Sequence, residues 1–216
     1  MKQRAMWLSL LAFVLGSAVS THAQGKYEIT PFVGFESSGN YPVTTASGVN
    51  NSIDQLRVNQ ATAFGTFFDY NVTENFQGEF LWDHNNTSYS ARQALSQTYY
   101  KAFDTNVDQF QFGANYMFLD STHKLRPYAA ASLGFTHEAN SGGNSNRTAF
   151  SWSIGGGVKY YLSPHFGLRG DVRYLPTYGN SSYGTYCDPI YGFCYPANVS
   201  NWLNRANIVG GLIFHF

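Results

Sequence analysis

Ten charged side chains stand in stretches where every second residue is apolar: Glu28, Glu36, Arg57, Glu79, Asp83, Lys159, Arg169, Asp171, Arg173 and Arg205. The run Leu168-Arg169-Gly170-Asp171-Val172-Arg173-Tyr174 is the clearest case. Five acids meet five bases, and charges withdrawn from water must be paired. The chemistry this points to is an internal ion-pair network, with a narrow polar conduit as the alternative. The six histidines suggest less. His123 and His165 fall in short polar turns, His215 is next to the last residue, and none has a partner at metal-ligand spacing. His84 and His137 fall at strand ends, and although Ser141 follows His137, no catalytic motif surrounds them. No catalytic residue, metal or cofactor is therefore expected. Cys187 and Cys194 bracket the segment CDPIYGFC. A bridge there would lower the entropy of the open loop, worth about 2.5 kcal/mol in the chain-entropy picture.

The elements that must hold the charges have a period of two, the signature of strands. Eight segments show it: 26–36, 56–70, 76–84, 106–118, 125–137, 148–161, 166–178 and 201–216. One face of each is bulky and apolar, as in Tyr27, Ile29, Val33 and Phe35, or Phe150, Trp152, Ile154, Val158 and Tyr160. The other is small, polar or charged. In segment 56–70 the alternation assigns Leu56, Val58, Phe64, Phe68 and Tyr70 to the apolar face, and Arg57, Asn59, Ala63, Gly65 and Asp69 to the polar one. Short joins at 71–75, 119–124 and 162–165 alternate with long ones near 37–55, 85–105, 138–147 and 179–200. Short turns at one end and long polar loops at the other is the plan of a transmembrane barrel. Within the second long join, Ala91, Leu95, Tyr99 and Phe103 recur every fourth residue, which predicts a short helix over 91–103.

Composition narrows the class. Charged residues are 12% of the 216 and aromatics 18%, against roughly 25% charged in a soluble domain. Lys+Arg equals Asp+Glu at 13 each, so no basic surface is available for nucleic acid. The mean hydropathy of −0.27 excludes a bundle of membrane helices but not a barrel, whose wall alternates. Residues 1–23 carry the marks of a secretory signal peptide: Lys2 and Arg4, the apolar run Met6 to Val14, then Thr21-His22-Ala23. The mature barrel is expected to span 24–216, in a compartment that permits a Cys187–Cys194 disulfide.

The charges also say which face is outside. A soluble lipocalin-like barrel or a β-sandwich would bury the apolar face and show Lys and Glu to water. Here the polar face is small residues plus matched ions, which suits a tight interior. The other face is rich in large aromatics that cluster at both ends of the segments, as interfacial girdles do. The fold expected is all-β: an eight-stranded antiparallel up-and-down transmembrane β-barrel.

EITPFVGF near the mature start, GGGVKYYLSPHFGLRGDVRYL at 155–175 and IVGGLIFHF at the end resemble the small outer-membrane barrels of the OmpA/OmpX-like barrel domain family, over roughly 26–216. The resemblance implies residence in the cell outer membrane among lipid and lipopolysaccharide. It also implies that Leu212, Phe214 and Phe216 are the signal read by the barrel-assembly machinery. No peptidoglycan-binding domain follows the barrel in the sequence, so a cell-wall tether is not expected. The function expected is a monomeric, non-enzymatic structural or surface-interaction protein: adhesion or contact with an extracellular ligand through the long loops, whose Tyr, Ser, Gly and Asn content suits binding. A narrow small-solute channel is the alternative, and a lipid A-modifying enzyme a more remote one.

Overall fold

The structure, a computed structural model, describes residues 25–42, 53–93, 96–141, 146–179, 185–187, 194–196 and 201–216. The expected signal peptide, 1–23, lies outside them. Eight strands form the staves of the barrel: β1 (Tyr27–Ser38), β4 (Ala61–Asn71), β5 (Phe76–Gln93), β6 (Tyr99–Met117), β7 (Leu125–Asn140), β8 (Arg147–Tyr161), β9 (Phe166–Tyr174) and β14 (Arg205–His215). Short strands extend the rim at the long-loop end: β2 (Asn40–Pro42), β3 (Ile53–Val58), β10 (Thr177–Gly179), β11 (Thr185–Cys187), β12 (Cys194–Pro196) and β13 (Asn201–Leu203).

Every stave is antiparallel to its two neighbours, in the circular order β1, β4, β5, β6, β7, β8, β9, β14 and back to β1. The last contact closes the ring: Ile29 pairs with Phe214 and Phe35 with Ile208, and Tyr27 and Phe216 exchange backbone hydrogen bonds at 3.0 Å in both directions. Closure matters because lipid offers no partner to an open sheet edge.

Alternation becomes inside and outside. In β1 the even-numbered residues from Glu28 to Glu36 face in, while Tyr27, Ile29, Val33 and Phe35 are exposed, Phe35 to 72%. The outer face carries Leu133, Ile154, Val172, Ile208 and Leu212 between two aromatic zones. Tyr27 lies 5.3 Å from Tyr70 at the short-turn end, and Trp152 lies 6.2 Å from Trp202 at the other. No helix among the described residues is long and apolar enough to cross a membrane; the strands cross it.

Three expectations fail locally. Segment 56–70 is two strands, because Asn59 and Gln60 interrupt it; Asn59 instead ties to Ser88 and Ser90 through its side chain at 2.8 and 2.9 Å. The interruption reverses the phase of the first part. Leu56 and Val58 are buried and Arg57 is exposed, so Arg57 is not a lumen residue. The helix over 91–103 is absent: β5 and β6 pair from Phe76↔Tyr116 up to Arg92↔Tyr99, one long hairpin whose cross-strand bonds replace helical ones. The last two sheet segments are also interrupted, at Leu175-Pro176 and at Asn204. Pro176 has no N–H to give to a ladder.

Above the aromatic zone, Val58, Tyr89 and Leu203 pack with Ala102 and Phe103 into a small apolar core inside the rim. Tyr89 and Phe103 stack at 4.8 Å. The long-loop end is thus partly built of packed strands.

Candidate functional site in the barrel lumen

The inward positions of eight strands converge on an axis, and an eight-stranded interior is just wide enough for side chains to fill. Nearest the short turns, Lys159 of β8 reaches across to Glu28 of β1 at 2.6 Å, to Asp69 of β4 at 2.7 Å and to the Gln77 carbonyl oxygen at 2.8 Å. Strands β8 and β4 are diametrically opposite, so these bonds span the lumen. The Tyr161 hydroxyl donates to Glu28 at 2.8 Å.

One layer up, Arg169 of β9 donates to Asp69 at 2.9 Å, to Glu79 at 2.6 Å and to Asp171 at 3.1 Å. Arg173 pairs with Glu79 at 2.6 Å and Asp171 at 2.8 Å. Strands β9 and β5 are also opposite. Asn115 fills the remaining acceptor sites, donating to Asp69 and Glu79 at 3.1 and 2.9 Å. Arg169 lies over the Phe67 ring, its guanidinium carbon 3.6 Å from the centroid, a cation–π contact that replaces part of its lost hydration. The Tyr128 hydroxyl donates to Asp171 and accepts from Arg169 Nε at 2.8 Å. Room for that hydroxyl comes from Gly157, where an added Cβ would fall 2.8 Å from it and 1.9 Å from the Gly170 carbonyl.

In the half nearest the long loops, Arg205 pairs with Glu36 at 3.5 Å and with Glu138. Gln109 donates to Glu36 at 2.9 Å, and Asn207 to Asp83 at 2.8 Å. All of these charged side chains are nearly or wholly buried. Such pairs are costly to break one partner at a time, because the survivor is stranded without water.

Nine of the ten charges expected inside are inside; Arg57 is the exception. Sequence reasoning misses Glu138, since it sets the start of a long join there, although Ser132, Thr136 and Glu138 continue one inward row. It also misses Phe32, Phe67 and Tyr128, since it gives large aromatics to lipid as a class. Their phase gives them away: Phe67 falls between Ala63 and Asp69, both buried. Arg126 is a further buried cation, at the short-turn end, where it donates to the backbone carbonyls of Leu119 (3.2 Å) and Glu74.

The histidines and Ser141 are held in other ways. His84 Nδ1 lies 2.8 Å from Asp108 on the outer wall, His137 Nδ1 lies 2.8 Å from the Thr148 hydroxyl, and Ser141 bonds the backbone of Asp104. In the turn 118–124, Asp120 accepts from Thr122 and lies 3.0 Å from His123, and these bonds hold its carboxyl at a pKa of about 2. The register sets Cys187 directly opposite Cys194 in the β11–β12 hairpin.

A closed eight-stave barrel with an apolar wall and a charged interior has a counterpart among known families: the family model described as outer membrane protein beta-barrel domain matches residues 9–188. The chain belongs to this outer-membrane barrel family. Its place is the outer membrane. Solved structures of similar shape include the outer membrane protein OprG from Pseudomonas aeruginosa, at TM-score 0.66 and 14% identity, covering 89% of this chain and 97% of that one. Neisserial surface protein A aligns at TM-score 0.55 and 14% identity, covering 88% and 97%. The outer membrane protein AlkL, solved in lipid bilayers, aligns at TM-score 0.53 and 14% identity, covering 93% and 94%. A search of curated protein sequences gave no match. At these identities the likeness to solved barrels is one of fold.

Proposed function

We propose that the protein is a non-enzymatic outer-membrane anchor for a surface-interaction site. The observation that carries the reading is the lumen: ion pairs joining opposite staves, β8 to β4 and β9 to β5, occupy the axis a solute would follow. Binding is then left to the outside, where the β5–β6 hairpin runs on past the aromatic zone to the Arg92↔Tyr99 pair. The rim core under it gives the display a fixed base. The wall contacts lipid and lipopolysaccharide, the barrel-assembly machinery inserts the chain, and an extracellular ligand meets the long loops of a monomer. Planar bilayers test the closed lumen: purified protein gives no sustained conductance, and stable steps would support a narrow small-solute channel instead. Exchanging the hairpin above Asn86–Asn106 for a short turn should abolish adhesion to a ligand-bearing surface while unheated gel migration stays that of a folded barrel.

A further inference from the structure

The lumen is not neutral throughout. In the half nearest the long loops, Glu36, Asp83 and Glu138 are 3%, 0% and 1% exposed, and the cation that pairs among them is Arg205. Two hydrogen bonds tie this layer together: Gln109 donates to Glu36, a cross-strand neighbour of Asn207, and Asn207 donates to Asp83, a cross-strand neighbour of Gln109. Each amide spends its NH2 on a carboxylate, which leaves its own carbonyl oxygen without a donor. Among the described residues, Asp83 Oδ1, Gln109 Oε1, Asn207 Oδ1 and Glu138 Oε2 are buried with no hydrogen-bond partner. Asn85, 0% exposed and facing in two residues beyond Asp83, has an amide oxygen with no hydrogen-bond partner.

Flipping amides does not cure this. Flipping Gln109 or Asn207 would turn its oxygen toward the carboxylate that its NH2 now serves. The layer sets three carboxylates against the one guanidinium of Arg205, which is committed to Glu36 and Glu138, and five of its unbonded atoms are oxygens: those of Asp83, Asn85, Gln109, Asn207 and Glu138. Buried polar atoms are nearly always satisfied, and an uncompensated buried charge is worse still. A set of carboxylate and amide oxygens is the donor set of a hard cation. No three His, Cys, Asp or Glu side chains converge as ligands among the described residues, so such a site depends on the amides as well as on Asp83.

We infer that Asp83, Asn85, Gln109 and Asn207 bind one hard, oxygen-seeking cation in the long-loop half of the lumen. The ion supplies the charge that Arg205 alone does not. It is a resident of the barrel interior and is independent of any ligand at the loops.

The test refolds the full chain into detergent micelles in EDTA with choline chloride, then with NaCl or CaCl2 at matched ionic strength. Bound cation is measured by atomic emission after equilibrium dialysis, and the thermal midpoint by unheated gel migration. One equivalent of Ca2+ or Na+ per chain and a midpoint above that in choline are expected, and the two salts identify the ion. Asp83→Asn should weaken binding by about tenfold or more and remove the midpoint shift. Asn85→Ala, which keeps every charge, should weaken it several-fold and decides the matter if the first variant does not fold. Identical midpoints and no bound cation in all three salts would overturn the inference, as protonation of the cluster would then suffice. Undiminished binding in both variants would also overturn it, by locating the cation elsewhere.

Discussion

Lys159 offers the sharpest test of the lumen network, because a surface pair supplies its control. Lys159 Nζ lies 2.6 Å from Glu28 and 2.7 Å from Asp69, with all three side chains at most 1% exposed. Lys101 lies 2.7 Å from Asp104 with both side chains about 60% exposed. Distance is equal, so burial alone separates them. Replacing Lys159 by Met strands two acids unequally. Asp69 keeps Arg169 at 2.9 Å, whereas Glu28 keeps only neutral donors, Tyr161 at 2.8 Å and Gln77 at 3.1 Å. Removing one partner of a buried pair costs about 3–5 kcal/mol; with Asp69 still paired, Lys159→Met should cost about 3 kcal/mol. Lys101→Met should cost less than about 0.5 kcal/mol. Adding Glu28→Gln to Lys159→Met should restore most of the loss, since the stranded charge is gone. The assay is reversible urea unfolding in lipid vesicles, followed by tryptophan fluorescence and unheated gel migration. A Lys159→Met loss as small as that of Lys101→Met, or no recovery in the double variant, would refute the reasoning.

Deleting Phe216 should lower outer-membrane levels far more than shortening the 179–200 loop does, because Phe216 trades two backbone bonds with Tyr27 at the seam; immunoblots of membrane fractions decide it, and equal levels would count against the strand's role. Cys187 and Cys194, paired in backbone register across a hairpin, should be oxidised in the exported protein; free labelling of both thiols without reductant would show the bridge absent. N-terminal sequencing of protein from the outer membrane should begin at Gln24 if Thr21-His22-Ala23 is the cleavage site. The Asp120 carboxyl, held at about 2 by Thr122 and His123, contributes order to its turn above the ordinary carboxylate range, and that contribution is lost as pH falls through about 2. Thr122→Val should move its titration, read by NMR, up toward the ordinary value of 3.8.

Most of the barrel is legible because one face of each strand meets lipid and the other meets charge, so the alternation is strong. It failed where something other than the two faces decides. Around Asn59-Gln60 the register against β5 slips by one residue, from Val58↔Tyr89 to Ala63↔Asn85, and counting by twos across the slip puts Leu56 and Arg57 on the wrong sides. Over 91–103 a spacing of four arose by chance in a strand pair that projects beyond the lipid and has less need of a strict pattern. In the lumen, residue type misled where phase did not: Phe67 and Tyr128 are aromatic yet inward, because Arg169 needs flat, polarisable partners. Which acid meets which base was not legible at all, since that depends on stave order and shear.

The network also has a bearing on how the staves find their alignment. A ladder shifted by one residue would swing Lys159, Arg169 or Arg173 into lipid, at about 2–4 kcal/mol per cation near the midplane. A shift by two keeps every side chain on its proper face, and the wall cannot detect it. Only the lumen can: two places along β8 from Lys159 stand Gly157 and Tyr161, so Glu28 and Asp69 would face a residue with no charge. The salt bridges therefore act as a checksum on register, rejecting alignments that the hydrophobic pattern accepts.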